Sequence, residues 1–154
     1  HNYKDVITSI APLWEKIGDG WNTILPTQAD IDLQMNTIAH TELVVNLGSS
    51  MVFDYAAHNK ACAFINYDVD HKKISDWSVK KIYNYIHFRS MPSNDAVLWI
   101  NSPDEIMGII EKGLVKDSSV IERAQQWFKI INQHSPQEAS RRIWEGIKTI
   151  IYKD

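Results

Sequence analysis

The chain has a single cysteine, Cys62, among its 154 residues. That excludes an internal disulfide and makes a reducing compartment the default. No apolar run reaches the roughly 18 residues that a membrane-spanning helix needs. No signal peptide is read at the start. Cationic residues are not in excess: 16 Lys and Arg face 19 Asp and Glu, for a net charge of -3. Non-specific nucleic-acid binding, which depends on clustered Lys and Arg, has no footing here. The histidines at 1, 40, 58, 71, 87 and 134 form no metal-ligand spacing with one another or with Cys62. Internal repeats and low-complexity linkers are also missing. No methionine opens the chain, so a fragment or trimmed piece of a larger protein is expected.

What is present is a globular profile, 44% hydrophobic and 23% charged. The length suits one domain spanning residues 1–154 with a core of its own. Val6, Ile7, Ile10, Leu13, Trp14 and Ile17 follow helical spacing, interrupted by Pro12. Gly18-Asp19-Gly20 reads as a turn, and residues 21–25 as a short strand closed by Pro26. Asp30 is a cap for a helix over residues 31–39, with Leu33 and Ile38 facing inward. Residues 42–46 read as a strand. Its run Leu43-Val44-Val45 suits a strand buried on both faces, as in a parallel sheet.

A helix over 50–58 and a strand over 61–66 follow. Residues 67–95 form a polar, aromatic stretch of weak periodicity, read as a long loop with a short helix around 79–86. Residues 96–100 form another strand. Ser102-Pro103-Asp104-Glu105 starts a helix that runs to about Lys112 and stops at Gly113. Ser118 or Ser119 starts the next, through Gln133. Ser135-Pro136-Gln137-Glu138 starts the last, to Tyr152. Strands alternating with helices predict an α/β domain with a Rossmann-like parallel sheet flanked by helices.

The stretch "NLGSSMVFDYA" from Asn46 follows a strand and opens a helix. Parallel sheets gather ligands at the carboxyl ends of their strands. Gly48 allows a tight turn and a close approach. Amides at Ser49, Ser50 and Met51 at a helix start suit an anion, and two serine hydroxyls add donors. Asp54 shares a helix face with Ser50, about 6 Å along the axis. That matches the span from a phosphate to its ribose, whose hydroxyls a carboxylate accepts. A plain capping Ser and a solvated Asp54 account for the same residues. The lysine of a phosphate loop is absent. On these residues alone both readings stand.

The region from Trp21 onward resembles the C-terminal, donor-binding half of GT-B glycosyltransferases. The likeness lies in the order of features in "ILPTQADIDLQMNTIAHTELVVNLGSSMVFDYAAHNKACAFINYD". A Pro follows a strand, a helix ends in "IAHTE", and a strand, a Gly-Ser turn and an acid on the next helix come after. It is closest in flavour to bacterial surface- and capsular-polysaccharide transferases, including the glycerophosphotransferases of teichoic-acid synthesis. Nucleotide-sugar transferases of plants and animals carry a related pattern: His, any residue, Gly, Trp, Asn, Ser, two more residues, Glu. Asn46 stands where that His binds phosphate, Gly48 matches the Gly, and Asp54 falls where the Glu holds ribose. Ser49, Ser50 and Met51 replace the Trp-Asn-Ser run.

The resemblance implies a donor site for a nucleoside-diphosphate sugar or a CDP-glycerol-like molecule, with no metal and no further cofactor. Pro26 and Gln28 would lie beside the nucleobase, and Tyr67 and Asp68 would face the sugar; a plain turn explains that pair as well. His87 and Arg89 would neutralise leaving-group charge, against the simpler reading of a surface loop. The implied partner is the missing N-terminal domain, so this half would bind donor and transfer little alone. The whole protein would be cytoplasmic and could sit peripherally at the inner face of the membrane. Trp127, Phe128, Trp144 and Tyr152 would pack on the sheet and toward the missing domain. Lys72 and Lys73 are expected to be solvated, and Cys62 to be a small core residue. A sugar-nucleotide 2-epimerase half and a non-catalytic α/β interaction domain remain the alternatives.

Overall fold

A computed structural model describes residues 5–70, 76–115 and 117–152. His71, Lys72 and Lys73 lie outside them. The chain forms two compact units, residues 1–41 and 42–154.

In the first unit, β1 (Glu15–Lys16) pairs antiparallel with β2 (Ile24–Leu25), Lys16 opposite Ile24. A short 3₁₀ turn, Trp21–Thr23, precedes β2 where a strand was expected. Helix α1 runs Gln28–His40. Its cap is Thr27, three residues earlier than the sequence suggested. Thr27 Oγ1 accepts from the Asp30 amide at 3.2 Å, and Asp30 Oδ2 accepts from the Thr27 amide at 2.8 Å. Asp30 is thus the third helical residue of a capping box.

The helix expected from Val6 to Ile17 does not form, and its apolar side chains are exposed. Pro12 withholds a donor and turns Ala11 away from helical dihedrals. The amides of Leu13 and Trp14 are instead taken by Asp30, at 2.7 and 3.2 Å. Trp14 sits at φ 35, outside any right-handed helix. A segment of this length without a buried face has nothing to offset the cost of nucleation.

The second unit is α/β. Strands β3 (Leu43–Asn46), β4 (Ala61–Ile65) and β5 (Leu98–Ile100) form a parallel sheet in the order β3-β4-β5. Helix α2 (Met51–Ala57) joins the first pair. Two short helices, α3 (Val79–Tyr83) and α4 (Ile86–Arg89), lie in the connection between the second pair. Then come α5 (Ile106–Leu114), α6 (Ser118–Asn132) and α7 (Ala139–Ile151).

The strand buried on both faces is β4, not β3. Ala61 to Phe64 are all within 5% of full burial, whereas Val45 on β3 is 42% exposed. The patterns of the two strands look alike, but β4 is central and β3 is an edge. Small residues at 61–63 let layers approach from either side of the sheet.

Register sorts the core. Asn46, Phe64 and Trp99 lie side by side in one row, as do Val45, Ala63 and Leu98 in the next. On the first face, Cys62 and Phe64 pack with Val52 and Ala56 of α2, Phe88 of α4, and Ala124 and Trp127 of α6. On the second, Ala61, Ala63, Leu98 and Ile100 pack with Val120 and Ile121 of α6 and Ile109 of α5. Cys62 is a core residue, as its apolar strand suggested. Gly113 does not end α5. It is buried, and a Cβ there would come within 2.8 Å of Leu43 Cδ1, so the residue lets α5 approach β3.

Helix starts depart in detail from the sequence reading. Asp117, not a serine, caps α6, accepting from the Ser119 amide at 2.9 Å. Ser102 caps nothing with its side chain; Glu105 accepts from the Asn101 amide at 2.9 Å. Trp127 is fully buried, but Trp144 and Tyr152 are 57% and 75% exposed and do not pack on the sheet. They belong to α7, which buries no residue and exposes Ile143, Ile147, Ile150 and Ile151. No helix among the described residues is long and apolar enough to cross a membrane.

Candidate functional site

All three parallel strands reach their carboxyl ends at an asparagine. Asn46 is the last residue of β3, Asn66 follows β4, and Asn101 follows β5. In sequence these are Val45-Asn46, Ile65-Asn66 and Ile100-Asn101. An amide at a strand end can both donate and accept, and at this edge of a parallel sheet such groups face the crevice where ligands bind.

The turn after β3 is closed largely by its own side chains. Asn46 Oδ1 accepts from the Ser49 amide at 3.0 Å, and Asn46 Nδ2 reaches Cys62 Sγ at 3.4 Å. Ser49 Oγ accepts from the Met51 amide at 3.3 Å. Two of the three amides expected to meet an anion are therefore already paired. Gly48 has φ 73, so the left-handed conformation expected of a tight turn is present. The close approach it permits is to the protein itself. A Cβ at 48 would come within 2.9 Å of Ile82 Cγ2, 3.0 Å of Tyr83 Cε1 and 3.2 Å of Phe88 Cζ.

Ser50 is exposed at the start of α2. Asp54 follows one turn later and is partly buried. Burial pushes its carboxyl above the usual range, and nearby His58 partly opposes the shift. His58 Nδ1 donates to the Asp54 carbonyl at 2.9 Å. Among the described residues no donor is recorded on the Asp54 carboxylate.

Tyr67 packs against the core on the second sheet face. Asp68 accepts from the Val79 amide at 2.8 Å and so ties the start of α3 to the end of β4. Pro26 is exposed between β2 and α1; Gln28 opens α1 and donates to Asp32 Oδ1 at 2.9 Å. Both belong to the first unit. His87 and Arg89 are exposed on α4, a short helix where a loop was expected. His87 lies against Phe88, with ring centroids 4.1 Å apart.

The sheet edge also holds a cleft of about 540 Å³ that the sequence reading missed. Asn66, Asn101, Asn84, Asn94, Lys80 and Trp99 line it, with Tyr83. Register builds it: Asn66 donates its amide to the Ile100 carbonyl at 2.8 Å, and its Nδ2 to Asn101 Oδ1 at 2.9 Å. Tyr83 stacks on Phe64, centroids 5.7 Å apart, and meets Trp99 edge-on at 4.9 Å. Its hydroxyl donates to the Ile65 carbonyl, and burial pushes the phenol up, so it stays protonated. Trp99 Nε1 donates to the Asn94 carbonyl. A smaller pocket of about 210 Å³ adjoins, sharing Tyr83, Asn94 and Trp99 and adding Arg89.

The same ring of Tyr83 thus has the 46–50 turn on one side and the cleft on another. Among the described residues the cleft's lining holds amides, an ammonium, a phenol and aromatic rings, and neither a carboxylate nor an imidazole. No group of three metal-ligating side chains occurs among the described residues. The signal that could have exposed this site was the asparagine closing each apolar strand, legible once the strands are aligned.

No family model, curated protein or solved structure matches the chain.

Proposed function

We propose that this chain is the donor-binding part of a GT-B-like glycosyltransferase of surface-polysaccharide synthesis, holding a nucleoside-diphosphate sugar or a CDP-glycerol-like donor. The observation that carries the reading is Asp54: a partly buried carboxylate without a recorded donor, one helical turn beyond Ser50, at the carboxyl edge of a parallel sheet. Ribose hydroxyls would supply the missing donors. The diphosphate would meet the exposed Ser50 and the hydroxyl of Ser49. Asn46 would act by holding the turn, since its amide is engaged on Ser49 and Cys62. Catalytic groups would come from a domain outside this chain, as the family resemblance implies.

A second reading also has an observation behind it. The self-paired amides at 49 and 51, and the filling of space around Gly48 by Ile82, Tyr83 and Phe88, suit a turn with a purely structural purpose. The domain would then be a non-catalytic α/β module.

Calorimetry or thermal shift with UDP, GDP, CMP and CDP-glycerol separates the two. A ligand at a hundred times its Kd adds about 2.7 kcal/mol to stability. Asp54→Ala should weaken a nucleoside diphosphate and leave inorganic pyrophosphate unchanged. Absence of any nucleotide shift sinks the donor reading for this chain, and equal losses for both ligands sink the ribose assignment.

A further inference from the structure

We infer that the cleft between the carboxyl ends of β4 and β5 binds a hydroxyl-rich small molecule carrying a single phosphate, in the class of sugar and polyol phosphates. This stands on the cleft's own chemistry and does not depend on the nucleotide reading.

Four carboxamides line the cleft, from Asn66, Asn84, Asn94 and Asn101. Each offers a donor and an acceptor side by side. A hydroxyl needs both, so vicinal hydroxyls match this lining better than an apolar or a purely anionic ligand does. Two of the amides are held in place: Asn66 Nδ2 donates to Asn101 Oδ1 at 2.9 Å, and Asn101 Nδ2 donates to Glu105 Oε2 at 3.1 Å. That chain orients the amides before a ligand arrives, which limits the ordering cost of binding.

Trp99 supplies the apolar wall. Its indole is fixed by the bond from Nε1 to the Asn94 carbonyl and by the edge contacts with Phe64 and Tyr83. A half-exposed, immobile ring beside amides is a surface on which the C–H face of a sugar can lie.

Charge selects the rest of the ligand. Lys80 is exposed in the cleft, and Arg89 lines the adjoining pocket that shares Tyr83, Asn94 and Trp99. No acid is paired with either among the described residues. Among the described residues no carboxylate lines the cleft to repel an anion. Two cations flanking one wall suit one phosphate and fall far short of a polyanion track. The volume, about 540 Å³, lies within the range of small-ligand sites.

The test is an amide-detected NMR titration of the whole chain with glucose 1-phosphate and glycerol 3-phosphate, run beside glucose and inorganic phosphate. The side-chain amides of the four asparagines and the Trp99 indole N–H should move saturably with the sugar and polyol phosphates. Lys80→Gln should weaken the phosphorylated ligands at least about tenfold, the loss of one charged hydrogen bond, and leave glucose unchanged. Asn84→Ala should weaken all hydroxylated ligands. Both positions are exposed, and an unchanged melting temperature confirms folding. Inorganic phosphate moving the same signals as strongly would overturn the assignment, as would no movement at millimolar ligand. UDP should leave the cleft signals unmoved, and UDP displacing the sugar phosphates from them would overturn the assignment; UDP failing to bind at all while sugar phosphate binds would sink the donor reading and keep this one.

Discussion

A Cβ at position 48 would lie 3.0 Å from Cε1 of Tyr83, so the β3 turn and the wall of the cleft touch through a missing side chain. Gly48→Ala is expected to destabilise the fold on two counts. The residue sits at φ 73, where a left-handed backbone costs an alanine roughly 1–2 kcal/mol. The added methyl must also displace Ile82 or Tyr83, an overpacking cost of about 1–3 kcal/mol. Denaturant unfolding should show a loss of roughly 2–5 kcal/mol from those terms. A loss below about 0.5 kcal/mol, the range of ordinary surface changes, would mean the turn relaxes freely and Tyr83 is not packed on it.

Among the described residues Trp127 is the largest fully buried side chain, and its Nε1 donates to Ser90 Oγ at 2.9 Å. Phe53 meets it edge-on at 4.8 Å. Trp127→Ala should cost about 3–5 kcal/mol. The hydrogen bond can be separated from the packing by a double-mutant cycle of Trp127→Phe and Ser90→Ala. A coupling of about 0.5–1.5 kcal/mol is expected; zero coupling would show that the ring alone matters.

The alternation of elements in the second unit was legible because β4, α2, α5 and α6 carry strong local patterns. What was not legible was decided at a distance. Leu43-Val44-Val45 reads as apolar as β4, and only the pairing order makes β3 an edge. Val6 to Ile17 has helical spacing, but Asp30, sixteen and seventeen residues on from Trp14 and Leu13, takes their amides. The cleft escaped notice for the same reason. Its residues span 66–101, and the register that aligns Ile65 with Ile100 is what brings Asn66 beside Asn101. The Asn46–Asp54 turn was legible as a place, while its internal hydrogen bonds were not.

Cys62 should be inert in the folded protein. It is 3% exposed, and burial pushes its thiol up to about 12, so the reactive thiolate is scarce. A thiol reagent at pH 8 should label it only at the rate of unfolding, and fully in denaturant. Rapid labelling without denaturant would mean that the face of the sheet around Asn46 opens.

Asp30 predicts an acid transition local to the first unit. The Thr27 hydroxyl, the Leu13 amide and then the Thr27 and Trp14 amides hold its carboxyl down at about 2. A carboxylate with a depressed folded value stabilises fully above its unfolded value, about 3.9, and loses that contribution as pH falls through the folded value. The Leu13 and Trp14 amide resonances should therefore titrate near pH 2. Asp30→Asn should abolish that titration. A midpoint near 4 would show that these amides do not bind the carboxylate in solution.

Asp54 should behave in the opposite sense. Burial raises its carboxyl, so the charged form is penalised by folding. That penalty is absent below the unfolded value and fully present above the raised folded one, and stability falls as pH rises between them. Asp54→Asn should then be more stable than the parent at pH 7, and the gap should close as pH drops below about 4. A group kept at a cost to stability is what a binding site carries. The same variant should therefore lose affinity for a nucleoside diphosphate while gaining stability. Paired unfolding curves from pH 3 to 8, roughly the span of the linkage window, check the first half, and calorimetry with UDP checks the second. A gap that persists at low pH would place the effect in packing around Phe53 and Tyr55 instead of in the charge.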